Sequence, residues 1–105
     1  MRVAAATPAR DCPHCPRLVA FRTRNAGEHP SYWNAPVPSF GADAPALLIV
    51  GLAPGLHGAN QPGRPFTGDG AGDVLYPALL ARGLADGAYG ARTDDGLRLK
   101  NCRIT

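Results

Sequence analysis

The run Ala46-Leu47-Leu48-Ile49-Val50, ended by Gly51, constrains this chain more than any other stretch. It is continuously apolar rather than alternating, the pattern of a parallel strand buried on both faces. A Gly/Pro-rich segment follows from Gly51 to Gly70, and segments of that length in a small domain are functional or disordered. A helix is then predicted from about Ala71 to Arg82, with Val74, Leu75, Ala78 and Leu79 on one face and Gly83 closing it. Pro77 lies within it and predicts a kink or a delayed start. Asp94-Asp95-Gly96 is a turn signal, so Ala88 to Arg92 and Leu97 to Leu99 predict a hairpin leading into a strand at Cys102-Arg103-Ile104-Thr105. Strand, loop, helix, strand is half of a doubly wound α/β unit. The sequence stops inside its second central strand, where a two-stranded parallel sheet buries too little surface. It therefore reads as a truncated portion of one domain.

Upstream, residues 1–11 read as a poorly ordered lead-in, and Arg17 to Asn25 predicts a short helix ending at Gly27. Glu28 to Gly41, with Pro30, Pro36 and Pro38, predicts a packed loop without regular structure, tied down by Tyr32, Trp33 and Phe40. At 105 residues there is room for one small domain with a modest core. A net charge of +3 permits a polyanionic partner without demanding one. No apolar run approaches the ~20 residues of a membrane span, and Asp11 and Cys12 interrupt the N-terminus before a signal-peptide core develops. Three cysteines, two of them close together, suit a metal or redox site in a reducing, cytoplasmic compartment better than a disulfide framework.

In an open α/β sheet, ligands bind beyond the carboxyl ends of the strands, where the segment after Val50 belongs. It reads GLAPGLHGANQPGRPFTGDG from Gly51 to Gly70. No Gly-Lys-Ser/Thr ends it and no GxGxxG occurs, so it is neither a nucleoside-triphosphate loop nor a dinucleotide fingerprint. Its glycines let backbone approach a flat or anionic ligand closely. His57, Asn60, Arg64 and Asp69 supply polar groups, and Phe66 supplies a stacking face. Each also has a plainer reading: Asp69 as the N-cap of the following helix, Phe66 as a core aromatic, His57 as a structural hydrogen-bonding group, Asn60 and Arg64 as braces of the loop.

GLAPGLHGAN followed by GRPFTGD resembles the first motif region of the fifth, iron–sulfur family of uracil-DNA glycosylases. The order of CPHC, YWNAPVPSFG, LLIVG and the terminal DGLRLKNCRIT is similar to that family from Cys12 onward, as its N-terminal half. The resemblance implies a three-layer α/β/α fold around a central parallel sheet. It further implies a DNA-repair enzyme that extrudes uracil, or another deaminated or damaged base, and hydrolyses its N-glycosidic bond to start base excision repair. Asp69 is then the catalytic residue beside the oxocarbenium-like sugar. Gly51, Leu52, Ala53, Pro54, Gly55, His57, Asn60 and Phe66 form the substrate site, with Phe66 as the stacking platform. Ala53 and Gly55 stand where better-known glycosylases carry Asp and Tyr, which leaves the wall that excludes 5-methylated bases open. Gln61-Pro62 departs from the basic and small polar residues expected there. A second catalytic motif, His-Pro-Ser, is expected in the absent half; His29-Pro30-Ser31 precedes the first strand and is a coincidence.

Cys12-Pro-His-Cys15 matches the tetrapeptide of a periplasmic disulfide oxidase, but no buried strand precedes it. A zinc ribbon wants a second CxxC, which is lacking; zinc held by Cys12, Cys15 and a histidine is a weak alternative. The resemblance implies a 4Fe–4S cluster with Cys12 and Cys15 as two of four thiolate ligands, the others outside this chain, and Cys102 as a small buried hydrophobe. By itself the chain is then an inactive portion of an enzyme that is monomeric at full length, with damaged DNA as its partner. The rival reading is a small zinc- or iron–sulfur-binding module that contacts nucleic acid without catalysis.

Overall fold

The computed structural model describes residues 7–105. The elements are helix α1 (Pro16–Glu28), strand β1 (Phe40–Gly41), strand β2 (Leu47–Ile49), helix α2 (Gly70–Ala81), and strands β3 (Ala85–Asp86), β4 (Arg98–Leu99) and β5 (Cys102–Ile104). This is a mixed α/β arrangement. One sheet has the order β1-β5-β2; the other pairs β3 with β4.

The strand expected at Ala46–Val50 forms as β2 and runs parallel to β5, with Leu47, Leu48 and Ile49 opposite Cys102, Arg103 and Ile104. Burial on both faces belongs to β5 instead. It lies between β1 and β2, and all three of its residues are buried, whereas β2 is an edge and Leu47 is 43% exposed. The Glu28–Gly41 segment is not wholly irregular, because Phe40–Gly41 pairs antiparallel with β5. Gly41 is required there: its φ is +130°, and a Cβ would stand 2.8 Å from the Arg103 Cα. Arg103 repays that approach by donating from Nη1 to the Gly41 carbonyl at 2.7 Å and from Nε to Ser39 Oγ at 2.9 Å.

Pro16 opens α1 at N1, where its fixed φ suits a helix and its missing N–H would have had no partner. The helix continues through Gly27 to Glu28, a little past the expected end. It buries only Asn25 and leaves Leu18 and Phe21 more than two-fifths exposed. Of the expected lead-in, residues 1–6 lie outside the described residues. Arg10 is tied to the loop, with its guanidinium 4.1 Å over the Trp33 ring and Nη2 donating to the Trp33 carbonyl at 2.8 Å.

Helix α2 matches its expected span and continues through Pro77. Of the expected face, Leu79 is buried and Leu75 packs against the core, but Val74 is 73% exposed and Ala78 is exposed; Gly72 and Tyr76 are buried in their place. Tyr76 is fully buried in the core, and its hydroxyl is satisfied there by a buried carbonyl, that of Pro65. The helix ends in a Schellman motif, with Leu84 N–H donating to the Leu79 carbonyl at 2.9 Å, Gly83 N–H to Leu80, and Gly83 at φ +73°. The hairpin around Asp94–Gly96 does exist, but its strands are Ala85–Asp86 and Arg98–Leu99; Ala88–Arg92 is not a strand. Tyr76, Leu79, Ala85, Leu97, Leu99, Cys102 and Ile104 form the core. Cys102 is fully buried, as its reading as a small hydrophobe anticipated. Among the described residues, no helix is long and apolar enough to cross a membrane.

Candidate active site

The parallel ladder continues past the named strands. Thr105 N–H donates to the Ile49 carbonyl at 2.9 Å, and Gly51 N–H to the Thr105 carbonyl at 2.7 Å. The carboxyl ends of β2 and β5 therefore lie side by side, and a cleft of about 410 Å³ opens beyond them. This is the place that an α/β topology offers a ligand. Gly51, Leu52, Ala53, Pro54, Gly55, Phe66 and Asp69 all line it, together with Val37, Ala59, Pro65, Ala71 and Thr105. Seven of the nine residues expected at the substrate and catalytic positions are thus gathered around one space.

The 55–63 segment winds into consecutive turns: Gly58 and Asn60 N–H groups donate to the Gly55 carbonyl, Gln61 to Gly58, and Gly63 to Ala59. Trp33 N–H donates to the Asn60 carbonyl at 2.9 Å. The Trp33 ring lies so close to Gly63 that a Cβ there would meet its Cε3 at 2.8 Å.

The GRPFTGD segment is held from beneath. Arg64 is 5% exposed and donates from Nη1 and Nη2 to the two carboxylate oxygens of Asp95 at 3.0 and 2.7 Å, and from Nε to Thr67 Oγ1 at 2.9 Å. Its guanidinium lies 5.0 Å from the Phe40 ring centre and 5.6 Å from that of Tyr76. Asp95 also accepts from the Gly90 and Leu97 N–H groups. The hydrogen bond from Arg64 comes first among the causes that hold its carboxyl well below the usual carboxylate range. Burial pulls Arg64 the other way, but Asp95 outweighs it and raises the guanidinium. The Pro65 carbonyl accepts from both the Tyr76 hydroxyl and Thr67 Oγ1. Burial pushes the Tyr76 phenol up to about 12, so it remains a donor.

On this base Phe66 adopts φ +52°, a left-handed conformation uncommon for an aromatic residue. Its ring reaches Gly51, where a Cβ would stand 3.1 Å from Cε2, so the glycine that ends the strand also seats the ring. Asp69 is the N-cap of α2, with Oδ1 accepting from Gly72 N–H at 3.3 Å. Its other oxygen, Oδ2, lies against Gly58 and within 3.8 Å of a Cβ built on Gly55. One oxygen caps the helix and the other faces the glycine turn at the cleft. The capping role is thus met by Oδ1 alone, and Oδ2 is left facing the cleft.

His57 and Asn60 are not among the residues that line the cleft. His57 Nδ1 shares a hydrogen bond with the Tyr32 hydroxyl at 3.0 Å, and its ring meets those of His29 and Tyr32 edge-on. Asn60 Nδ2 donates to Asn34 Oδ1 at 3.0 Å, which ties the turn to the preceding loop. Cys15 is exposed at the N-cap of α1 and Cys12 is half-buried, with its carbonyl accepting from Arg22 Nη2 at 2.8 Å. Among the described residues no group of three or more His, Cys, Asp or Glu side chains is placed to hold a metal ion. Sequence reasoning noted Arg64 as a possible brace but missed its partner. Asp95 registered only as a turn residue, because no local spacing rule joins positions 31 apart.

The sequence pattern of the "Uracil DNA glycosylase superfamily" matches residues 38–104. Three curated relatives carry the name "Type-5 uracil-DNA glycosylase". The Mycobacterium tuberculosis protein is 48% identical over 100 residues, 90% of this chain and 37% of its own length. The Thermus thermophilus protein is 46% identical over 99 residues, 90% of this chain and 45% of its own length. The Pyrobaculum aerophilum protein is 40% identical over 99 residues, 90% of this chain and 44% of its own length. The chain spans less than half the length of these relatives, and its matched region carries the β-strands, the turn-rich loop and the cleft. This chain belongs to the uracil DNA glycosylase superfamily.

Proposed function

We propose that this chain forms the base-binding portion of a glycosylase that hydrolyses the N-glycosidic bond of uracil, and of other deaminated or damaged bases, in DNA. The observation that carries this reading is the convergence of the Phe66 ring and the Asp69 carboxylate on one largely apolar cleft beyond the β2 and β5 termini. A base extruded from the duplex stacks on Phe66. The Asp69 carboxylate, held by its helix cap, sets negative charge beside the sugar as positive charge develops there. Ala53 and Gly55 bring no side-chain acid or aromatic wall to the cleft, which supports acceptance of more than one base. His57 and Asn60 act at one remove, by shaping the turn that carries Gly55.

The fuller architecture in this reading is three-layer α/β/α, with further strands added at the open β2 edge and the chain serving as the N-terminal portion of a monomeric single domain. Cys12 and Cys15 fit two of the four thiolate positions of a 4Fe–4S cluster: neither is fully buried, two residues separate them, and Cys15 stands at the N-cap of α1. Such a cluster, when bound, supplies a cross-link between this segment and the rest of the protein. A reducing, cytoplasmic setting keeps both thiols available.

The test is release of uracil by the full-length protein from an oligonucleotide containing one uracil, read as alkali-sensitive strand breaks. Breaks at the uracil position and none in the matched undamaged strand are expected. DNA binding without breaks would favour a non-catalytic binding module.

A further inference from the structure

The left-handed backbone at Phe66 poses a question that its own contacts do not answer. A bulky residue at φ +52° is strained, and persists only where its surroundings over-determine it. The segment that holds it belongs to neither helix nor strand, so its rigidity must come from side chains.

We infer that the buried Arg64–Asp95 ion pair is the positioning device of the site, fixing residues 64–69 so that the Phe66 ring and Asp69 carboxylate meet the same cleft. The inference rests on the roles assigned above to Phe66 and Asp69. Arg64 is two residues from Phe66 and is immobilised from three directions. Asp95 takes it bidentately, Thr67 Oγ1 accepts its Nε, and the Phe40 and Tyr76 rings flank its guanidinium. Asp95 is itself anchored by two backbone N–H groups on the far loop. The pair's side chains are only 6% and 2% exposed, so it is nearly inaccessible to solvent and cannot contact substrate directly.

Stability alone is a poor reason for such a pair, because well-packed apolar side chains of similar volume often serve a fold equally well. A guanidinium fork gripped by a carboxylate specifies an orientation that apolar packing does not. The structure uses that orientation where backbone strain and catalytic placement coincide. Arg64 and Asp95 are therefore positioning residues, acting through Phe66 and Asp69.

The test uses the full-length protein with the double substitution Arg64→Met and Asp95→Leu, and separately Arg64→Lys, which keeps the charge but loses the fork. Melting curves, affinity for uracil-containing DNA and single-turnover excision at saturating enzyme are measured together. The double variant is expected to stay folded with a modestly lowered melting temperature, because the Gly90 and Leu97 N–H groups lose their acceptor. It should bind DNA within about 2-fold, yet excise roughly 10²-fold more slowly at temperatures well below its melting point, the scale of a small misplacement of reacting groups. Arg64→Lys is expected to lose roughly 10-fold in rate with unchanged half-saturation. A parental rate in the double variant would overturn the inference; if that variant does not fold, a parental rate in Arg64→Lys would do so. Asp69→Asn, run alongside, separates this from the reading beneath it: full activity there removes the role of Asp69 itself, whatever the pair does.

Discussion

The Asp69 carboxylate occupies the space that a side chain on Gly58 would fill: a Cβ there would overlap Oδ2 and stand 3.1 Å from Cγ. Gly58 is buried, and its φ is not in the left-handed region, so an alanine would suit the backbone. What glycine supplies is room. Gly58→Ala is expected to turn the carboxylate off its cap and away from the cleft. It should cost about 1–3 kcal/mol through overpacking and slow uracil excision at least 10-fold. Thermal melting and single-turnover kinetics on the full-length protein measure the two; an enzyme of parental rate would show that Asp69 has freedom to adjust.

Asp95 makes stability depend on acid in one direction. The hydrogen bond from Arg64 holds the folded-state pKa well below the ordinary 3.8, so the native state binds fewer protons than the unfolded chain between those values. Its contribution is complete above pH ~4 and is lost as pH falls through the folded-state value. Asp95→Asn leaves Arg64 buried without its counter-charge and is expected to cost about 3–5 kcal/mol at neutral pH. The difference from the parent should shrink below pH 4. Urea unfolding from pH 2 to 7 reads both, and a pH-independent difference would contradict the ion-pair account.

The 105-residue chain alone leaves apolar surface uncovered. Leu47, Val50, Leu52 and Val74 are 43%, 72%, 104% and 73% exposed, three of them on or beside the open edge of β2. It is expected to bind a hydrophobic dye and to self-associate at micromolar concentration. A monomeric chain with cooperative melting and no dye binding would show that these residues need no cover.

Much of this molecule is legible in its sequence. The apolar run at Ala46–Val50, the glycines after it and the cap at Asp69 are local signals, and they located β2, the cleft loop and the start of α2. Whatever depended on distant partners was not legible. Phe40–Gly41 is a strand only because β5 accepts it. Tyr76, rather than Val74, faces inward, where its ring packs against Phe40 and Tyr89 and its hydroxyl donates to the Pro65 carbonyl. The same holds in the site. Ala53, Gly55, Phe66 and Asp69 follow from the motif and line the cleft, but the strain at Phe66 and the Asp95 anchor beneath it belong to a contact between loops far apart in sequence. His57 and Asn60 carry the right chemistry in the right segment, yet the turn directs them to Tyr32 and Asn34.

The cysteine pair has its own test. The full-length protein is expected to purify brown, with about four iron and four sulfide per chain. Cys12→Ala or Cys15→Ala should bleach it and lower its melting temperature. Stoichiometric zinc in place of iron would replace the cluster with a zinc site.

The central claim, that Asp69 acts on the sugar of an extruded base, is tested most directly by Asp69→Asn in the full-length protein. Asparagine caps a helix about as well as aspartate, so the Gly72 contact and the melting temperature should be preserved while the negative charge is removed. Affinity for uracil-containing DNA should barely change, because phosphate contacts dominate it. Single-turnover excision is expected to fall by roughly 10²-fold or more, the scale of losing one electrostatic stabiliser. An Asp69→Asn protein that melts like the parent and releases uracil at the parent's rate would contradict the account and leave Asp69 a helix cap alone.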